Sequence, residues 1–215
     1  MTVDRKSLSE ALSHEKEVRS AAKLYAEFGW PVIPLHAIKD GSCTCGDESC
    51  ESQGKHPRTQ HGVKDASKAP SIVEAWWSKW SDANIGCAIG SGMIVLDLDG
   101  IEDLAAFKAL DLDLPGTAVV KTGRGFHLYY SVDPEIPVKS AVNLLPDAGF
   151  GVDVRAAGSY AVLPPSMHSG GARYRWDSPP RSIAEAPQWR VGALTERASS
   201  PSEPLDTESV FRGVR

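Results

Sequence analysis

Two aspartates, Asp97 and Asp99, stand one residue apart near the end of the apolar run MIVLDLDG, residues 93–100. In a β-strand, residues i and i+2 project from the same face, so both carboxylates point the same way while Leu96 and Leu98 face the opposite layer. Parallel carboxylates repel one another unless a cation offsets their charge. Mg²⁺ and Mn²⁺ prefer such hard oxygen ligands. The pair is therefore a candidate metal site, and the alternative is a solvated strand end.

A third aspartate, Asp153, lies inside the strand pattern GFGVDVRA, residues 149–156. An isolated carboxylate between apolar neighbours needs a partner. Arg155, two residues further on the same face, is one candidate partner. The other interpretation makes Asp153 a third metal carboxylate beside Asp97 and Asp99.

The stretch VVKTGRGFHLYY, residues 119–130, combines a glycine turn with polar and charged groups. Glycines let the backbone approach a phosphate closely with its N–H groups exposed. The residues that would serve nucleotide binding here are Lys121, Thr122, Gly123, Arg124, Gly125 and His127. Most Gly-x-Gly hairpins are simply turns, and a lone histidine is more often structural. Together with three carboxylates, however, these groups suggest nucleotidyl transfer, in which two divalent metals activate a 3′-hydroxyl and stabilise the leaving pyrophosphate.

A polar loop, residues 40–60, carries a second candidate metal site. Three cysteines and a histidine follow the spacing Cys-x-Cys-x4-Cys-x5-His: Cys43, Cys45, Cys50 and His56. Thiolates and imidazole are the usual ligands of tetrahedral Zn²⁺, and a structural zinc explains how a long polar loop stays ordered. The spacing leaves the fourth ligand open, because His36, Asp47 and His61 are nearby. The fourth cysteine, Cys87, is expected to be a small core residue.

The order of predicted elements is mixed, with helices interspersed among hairpins, and it indicates an α+β (mixed α/β) fold. Residues 5–28 are expected to form one helix and residues 70–80 another, the latter burying Ile72, Ala75, Trp76 and Trp80. A closing helix is expected at 183–194. The predicted organisation is an N-terminal helical extension (1–19), a catalytic domain (20–195) and a flexible tail or linker (196–215).

The bulk composition limits the classes of protein. The 215 residues carry a formal net charge of −5, which argues only weakly against nucleic-acid binding because basic residues cluster between Lys55 and Lys68. No apolar stretch is long enough to span a bilayer, and the charged N-terminus lacks the apolar segment of a signal peptide. We therefore expect a cytoplasmic protein with no membrane partner.

Two other functions remain open from the residues alone. VLDLDG matches the nucleophile strand of haloacid-dehalogenase-like phosphohydrolases, which are Mg²⁺-dependent, but no convincing acidic pair follows at a later strand end. A non-catalytic, zinc-bearing single-strand DNA-binding module is the second alternative.

The ordered set VLDLDG, TGRGFHLYY, GVDVRAAGSYAVLPPSMHSGG and YRW resembles the bifunctional DNA primase/polymerase domain. That domain belongs to the archaeo-eukaryotic primase superfamily of phage and plasmid replication proteins. GKHPR and AWWSKWSDANIGCAIGSG also fit its pattern, so the resemblance covers residues 20–195. The resemblance implies a two-part core, one part with a sheet like that of RNA-recognition motifs, and an active site between the parts.

Carried over to this chain, the family's acidic motif falls on Asp97 and Asp99, and its third acid on Asp153. Its small-residue-x-His motif ends at His127, which is expected to contact the phosphates of the incoming NTP or dNTP. The implied cofactors are catalytic Mg²⁺ or Mn²⁺ and structural Zn²⁺. The implied partners are a single-stranded DNA template and a helicase domain or subunit. Lys55 and Arg58 are candidate DNA contacts, and Ser166 is a candidate for the cleft lining.

Overall fold

The computed structural model describes residues 5–112, 114–181 and 183–186. Within these ranges the chain is a mixed α+β protein, which confirms the predicted fold class. Its helices are α1 (Arg5–His14), α2 (Val18–Phe28), α3 (Pro70–Lys79) and α4 (Leu104–Lys108). Its strands are β1 (Val32–Leu35), β2 (Ile38–Lys39), β3 (Ser42–Cys43), β4 (Asn84–Ala88), β5 (Met93–Asp99), β6 (Ala118–Lys121), β7 (Gly125–Ser131), β8 (Gly151–Arg155), β9 (Tyr160–Leu163), β10 (Arg175–Ser178) and β11 (Ala184–Glu185).

The single helix predicted over residues 5–28 is wrong, because the chain breaks between α1 and α2. At the break, a carboxylate oxygen of Glu15 accepts hydrogen bonds from the backbone N–H groups of Lys16 and Glu17, both at 2.8 Å. These bonds satisfy amides that a new helix start would otherwise leave without acceptors. Gly29, with a φ of 94°, ends α2 in the left-handed conformation that glycine adopts readily.

The chain divides into two compact units that interleave along the sequence. The first unit takes the described residues up to Ala88, together with Val119–Gly123 and Tyr160–Arg181. The second takes Ile89–Ala118, Arg124–Ser159 and the described residues from 183 onward.

A three-stranded antiparallel sheet in the order β1, β4, β9 forms the base of the first unit. As its prolines predict, β1 is an edge strand, because proline cannot donate to a second neighbour. An aromatic cluster packs nearby: Tyr25 stacks on Trp30 with ring centroids 5.9 Å apart, and Trp176 donates its indole N–H to the Tyr25 hydroxyl at 2.9 Å.

Helix α3 begins at Pro70, as predicted, but it buries a different face from the one expected. Val73 and Trp77 are buried, and the Trp77 indole N–H donates to the carbonyl of Ala83 at 3.0 Å. Ile72, which was expected on the buried face, is 45% exposed. Neighbouring tryptophans lie about 100° apart on a helix, so choosing the wrong one rotates the whole predicted face.

In the second unit, β5 lies between β7 and β8 and is antiparallel to both. Leu96 and Leu98 are buried, together with Phe126 and Leu128 of β7. Strand β11 runs parallel to β7. The helix predicted over 183–194 is therefore wrong at its start, where Ala184–Glu185 is extended; residues 187–194 lie outside the described part of the chain.

The polar loop predicted over residues 40–60 holds β3, and one 3₁₀ turn, Gly62–Asp65, follows it. The tail predicted over 196–215 lies outside the described residues. None of the helices in the described part of the chain has the length and apolarity to cross a membrane.

Candidate functional site

The central feature of the second unit is a row of three polar residues across adjacent strands. Asp97 in the middle strand β5 lies directly opposite His127 in β7 on one side and Asp153 in β8 on the other. Directly opposed residues of antiparallel strands project from the same face, with Cβ atoms about 4.5–5.5 Å apart. The strand register therefore brings together three residues that are 56 positions apart from first to last along the chain.

Asp97 is engaged through both of its carboxylate oxygens. Its Oδ1 lies 3.4 Å from Nε2 of His127, and its Oδ2 accepts hydrogen bonds from Nη2 (2.7 Å) and Nε (3.2 Å) of Arg155. Burial would raise the pKa of this carboxyl. The hydrogen bonds and charges of His127 and Arg155 outweigh burial and hold the pKa of Asp97 well below its ordinary value. The Asp97 side chain is thus ionised at physiological pH.

Asp153 is held in a similar way. Its Oδ1 accepts a hydrogen bond from the backbone N–H of Asn143 at 2.9 Å, and its Oδ2 lies 3.7 Å from Nη2 of Arg155. The partner that the sequence suggested for Asp153 is therefore present, but its shorter contact is with Asp97. The bond from Asn143 was not foreseen, since a backbone donor leaves no signal in the sequence.

Asp99 shares the face of Asp97 and sits between two glycines. Gly125 faces it in β7 and Gly151 in β8, so neither directly opposed residue places a side chain beside its carboxylate. Arg124 donates its Nε–H to Oδ1 of Asp99 at 3.0 Å and pairs with Oδ2 through Nη2. Both groups are largely exposed, at 66% for Arg124 and 49% for Asp99, so the pair is open to exchange with a ligand.

The predicted nucleotide-binding stretch crosses from one unit to the other between Gly123 and Arg124. Lys121, Thr122 and Gly123 belong to the first unit, where the imidazole of His168 packs against Gly123. A Cβ at Gly123 would lie only 2.3 Å from Cγ of His168, so this position admits no side chain without a shift. Contact between this stretch and a phosphate remains a prediction.

The donor types in the second unit are those that a hard divalent cation prefers. Asp97, Asp99 and Asp153 supply carboxylate oxygens on neighbouring strands, and His127 borders them. The oxygens are held by Arg155, Arg124 and backbone donors, so a metal would have to exchange with these partners. The assignment of this metal site remains a prediction.

The cysteine loop forms a compact ligand cluster in the first unit. Among the described residues, the group of three or more metal-ligating side chains whose donor atoms lie within 4.8 Å of one another is Cys43, Cys45, Cys50 and His56. The Nε2 atom of His56 lies 3.4 Å from Sγ of Cys43 and 3.6 Å from Sγ of Cys50. In a tetrahedral zinc site, bond lengths of about 2.3 Å to sulfur and 2.0 Å to nitrogen place these atoms about 3.5 Å apart. The cluster is compatible with structural zinc.

The backbone around the cluster explains how these ligands meet. Asp40 and Gly41, with φ of 52° and 79°, form the tight turn between β2 and β3 that delivers Cys43. The Gly54 amide donates to Sγ of Cys43 at 3.5 Å. Burial opposes ionisation of this thiol, but hydrogen bonds from Gly54, Cys45 and His56 lower the pKa of Cys43 to about 6. A thiolate is the form that binds metal.

The three alternative zinc ligands are occupied elsewhere. His36 Nδ1 contacts the Thr44 hydroxyl at 3.2 Å. Asp47 accepts from the Ser49 N–H at 2.9 Å, and His61 pairs with Asp65 at 3.0 Å. Among these histidines, His56 is the one whose ring nitrogen lies within the cluster of three thiols.

Of the two residues predicted to contact DNA, Lys55 is exposed, whereas Arg58 is used within the protein. Arg58 donates to the Thr44 hydroxyl at 2.6 Å and the Leu35 carbonyl at 3.3 Å, and its side chain is 11% exposed. Ser166 is fully buried and accepts from the Ile85 N–H at 2.8 Å, which makes it a core residue of the first unit. DNA contact by Lys55 and Arg58 remains a prediction.

Comparison with known proteins now adds to this geometry. A family model described as "bifunctional DNA primase/polymerase, N-terminal" matches residues 21–189, which include both clusters of candidate ligands. No curated protein matches the chain. Because the match spans most of the 215 residues, the chain belongs to the bifunctional DNA primase/polymerase family, whose chemistry is nucleotidyl transfer in DNA replication.

Proposed function

We propose that this chain is the catalytic domain of a primase-polymerase that synthesises and extends primers on a single-stranded DNA template, in the cytoplasm of a bacterium that hosts a phage or plasmid. The observation that carries the proposal is the row of Asp97, His127 and Asp153 across three paired strands. Family membership supports the reaction class, and the row supplies the anionic and hydrogen-bonding groups that this reaction requires.

The reaction joins the 3′-oxygen of a primer, or of a first nucleotide, to the α-phosphorus of the incoming NTP or dNTP. The bond from this phosphorus to the bridging oxygen breaks, and pyrophosphate leaves. Asp97, Asp99 and Asp153 would hold Mg²⁺ or Mn²⁺, which supplies positive charge for the attacking and leaving oxygens.

The remaining residues of the second unit would bind the triphosphate. His127 stands beside Asp97 and is 9% exposed, so its ring is held in place by packing. Its Nε2 faces Oδ1 of Asp97 and would exchange this contact for a hydrogen bond to a phosphate that binds there. Arg124, which is 66% exposed, would exchange its bond to Asp99 for a bond to phosphate. Charge-assisted hydrogen bonds of this kind are among the stronger polar contacts.

In the first unit, the zinc cluster is proposed to keep the loop over residues 40–60 ordered. Lys55 is exposed between Cys50 and His56, where a zinc-fixed loop would present it to template phosphates. Arg58 would contribute mainly by stabilising the loop through its hydrogen bond to Thr44. A helicase domain or subunit is the proposed partner for unwinding the template.

The deciding experiment is template-dependent incorporation of labelled nucleotides on single-stranded DNA, run separately with NTPs and dNTPs. The double change Asp97→Ala plus Asp99→Ala should abolish incorporation, whereas Asp147→Ala, an exposed aspartate of the same unit, should leave it intact. Full activity in the double variant would overturn the metal assignment. DNA binding that is indifferent to Asp97 and Asp99, without synthesis, would favour a binding module. Hydrolysis of small phosphate esters without synthesis would favour a phosphohydrolase.

A further inference from the structure

One guanidinium nitrogen lies close to both carboxylates of the three-strand row, those of Asp97 and Asp153. Nη2 of Arg155 is 2.7 Å from Oδ2 of Asp97 and 3.7 Å from Oδ2 of Asp153. The two aspartates face each other directly in the register of β5 and β8. Arg155 therefore offsets one of the two negative charges from a point shared by both side chains.

The other two oxygens of these carboxylates point to different partners. Oδ1 of Asp97 faces His127, and Oδ1 of Asp153 accepts from the backbone N–H of Asn143. The two Oδ2 atoms are thus the ones that a shared cation would engage first. In this structure that cation is the side chain of Arg155.

A guanidinium and a divalent ion cannot use these two oxygens together. Arg155 carries a fixed positive charge and has no acceptor atom, so it offers nothing to a metal ion beside it. The side chain of Arg155 is 42% exposed, and the residue is the last of β8, so the guanidinium has solvent beside it. Displacement requires a rotamer change in a long side chain and no rearrangement of the sheet.

We propose that Arg155 is an internal counter-ion that occupies the place of the catalytic metal between Asp97 and Asp153, and that it sets the metal affinity of the site by competing for the same oxygens. This inference rests on the proposed function, because it takes these carboxylates as metal ligands. Arg155 acts through the aspartates and is a positioning residue. When the metal is absent, its positive charge offsets one of the two negative charges and holds the paired carboxylates in place.

The test measures Mn²⁺ binding by electron paramagnetic resonance, without nucleotide or DNA, on protein whose cysteine cluster is loaded with zinc. Arg155→Gln should bind Mn²⁺ about tenfold more tightly than the wild type, which corresponds to a site that is free of Arg155 about one-tenth of the time. Arg181→Gln removes the same charge from the exposed pair with Glu10 and should leave the affinity unchanged. Thermal midpoints report folding, and Mn²⁺ should raise the midpoint of Arg155→Gln more than that of the wild type.

Unchanged or weaker Mn²⁺ binding in folded Arg155→Gln would overturn the inference. Should that variant lose its fold, Arg155→Met, which keeps the packing of the stem, answers the same question. Adding Asp97→Asn to Arg155→Gln distinguishes a wrong metal site from a wrong role for Arg155. If the wild type, Arg155→Gln and the double variant all bind Mn²⁺ with the same affinity, the metal lies elsewhere and the proposed function fails with it. If Arg155→Gln binds Mn²⁺ as the wild type does and the double variant binds it more weakly, the metal site stands and the role of Arg155 is refuted.

Discussion

Nε2 of His127 lies 3.4 Å from Oδ1 of Asp97, and the two residues face each other in the register of β7 and β5. This pairing couples a hydrogen-bond donor to an anion that is held ionised by its surroundings. A histidine in this position is oriented before any ligand arrives. A pre-oriented donor loses little conformational entropy when it binds a phosphate, which is the advantage that a nucleotide site needs.

The first prediction concerns His127→Asn. We expect KM for the incoming nucleotide to rise about 10- to 100-fold, since a hydrogen bond to a charged group contributes about 1.5–3 kcal/mol. Steady-state incorporation kinetics at saturating template measure this rise. His61→Asn is the matched control, because His61 is an exposed histidine paired with Asp65 in the other unit. An unchanged KM in a variant with a wild-type thermal midpoint would show that His127 only supports the fold.

Much of the candidate site is predictable because it depends on local spacing. Asp97 and Asp99 share a face by the two-residue period of a strand. Cys43, Cys50 and His56 assemble because a short loop restricts where their side chains can go. These predictions need no knowledge of which distant segments pair.

Local spacing does not predict which residues of the row face one another across the strands. That Asp97 rather than Asp99 faces Asp153 depends on the register of β5 and β8, which is set by pairing across more than 50 residues. A shift by two residues would place Asp99 opposite Asp153 without altering the pattern of buried positions. In α3, local periodicity likewise did not distinguish Trp76 from Trp77 as the buried residue, because burial there depends on packing against distant segments.

The second prediction concerns the cysteine cluster. Purified protein should contain about one zinc ion per chain, and His56→Asn should lower both its zinc content and its thermal midpoint, since metal bound only by the folded state stabilises it. His61→Asn should leave both unchanged, because His61 bonds with Asp65. Elemental analysis and thermal unfolding give the two readings. Zinc retention in His56→Asn with loss in His61→Asn would assign the fourth ligand to His61.

The third prediction concerns Cys87, which is fully buried in β4. Burial raises the pKa of the Cys87 thiol to about 12. Since its ordinary pKa is 9.0, the thiol stabilises the fold below that pH, and this contribution is lost as the pH rises from 9.0 towards 12. At pH 8 the thiol is protonated and shielded, and we expect it to resist a thiol reagent while the protein is folded.

Counting the reactive thiols at pH 8 tests whether Cys87 is shielded in the folded protein. With a strong chelator present, the partly exposed Cys45 and Cys50 should react in the folded protein well before Cys87, and all four cysteines should react in denaturant. Cys87→Ser is the control: it should lower the count in denaturant by one and leave the folded count unchanged. Equal reaction rates for all four thiols in folded protein would show that β4 opens readily.

The fourth prediction concerns Gly125, which faces Asp99 across β5 and β7. A Cβ at Gly125 would lie 1.9 Å from the carbonyl oxygen of Leu98, which belongs to the backbone of β5 and cannot rotate away. Gly125→Ala must therefore push the two strands apart beside the carboxylates. We expect it to lower the free energy of unfolding by about 2 kcal/mol or more, in the range of overpacked core sites.

Gly116→Ala is the matched control, because a Cβ there meets no heavy atom within 4 Å. Its unfolding free energy should stay within about 0.5 kcal/mol of the wild type, or rise slightly as the unfolded chain loses freedom. Urea unfolding measures both variants. The strand separation should also lower incorporation in Gly125→Ala by more than its unfolded fraction explains, since Asp97 and His127 form the pair two residues further along the same two strands. Equal stability of the two variants would mean that β5 and β7 are not paired as closely as this register requires.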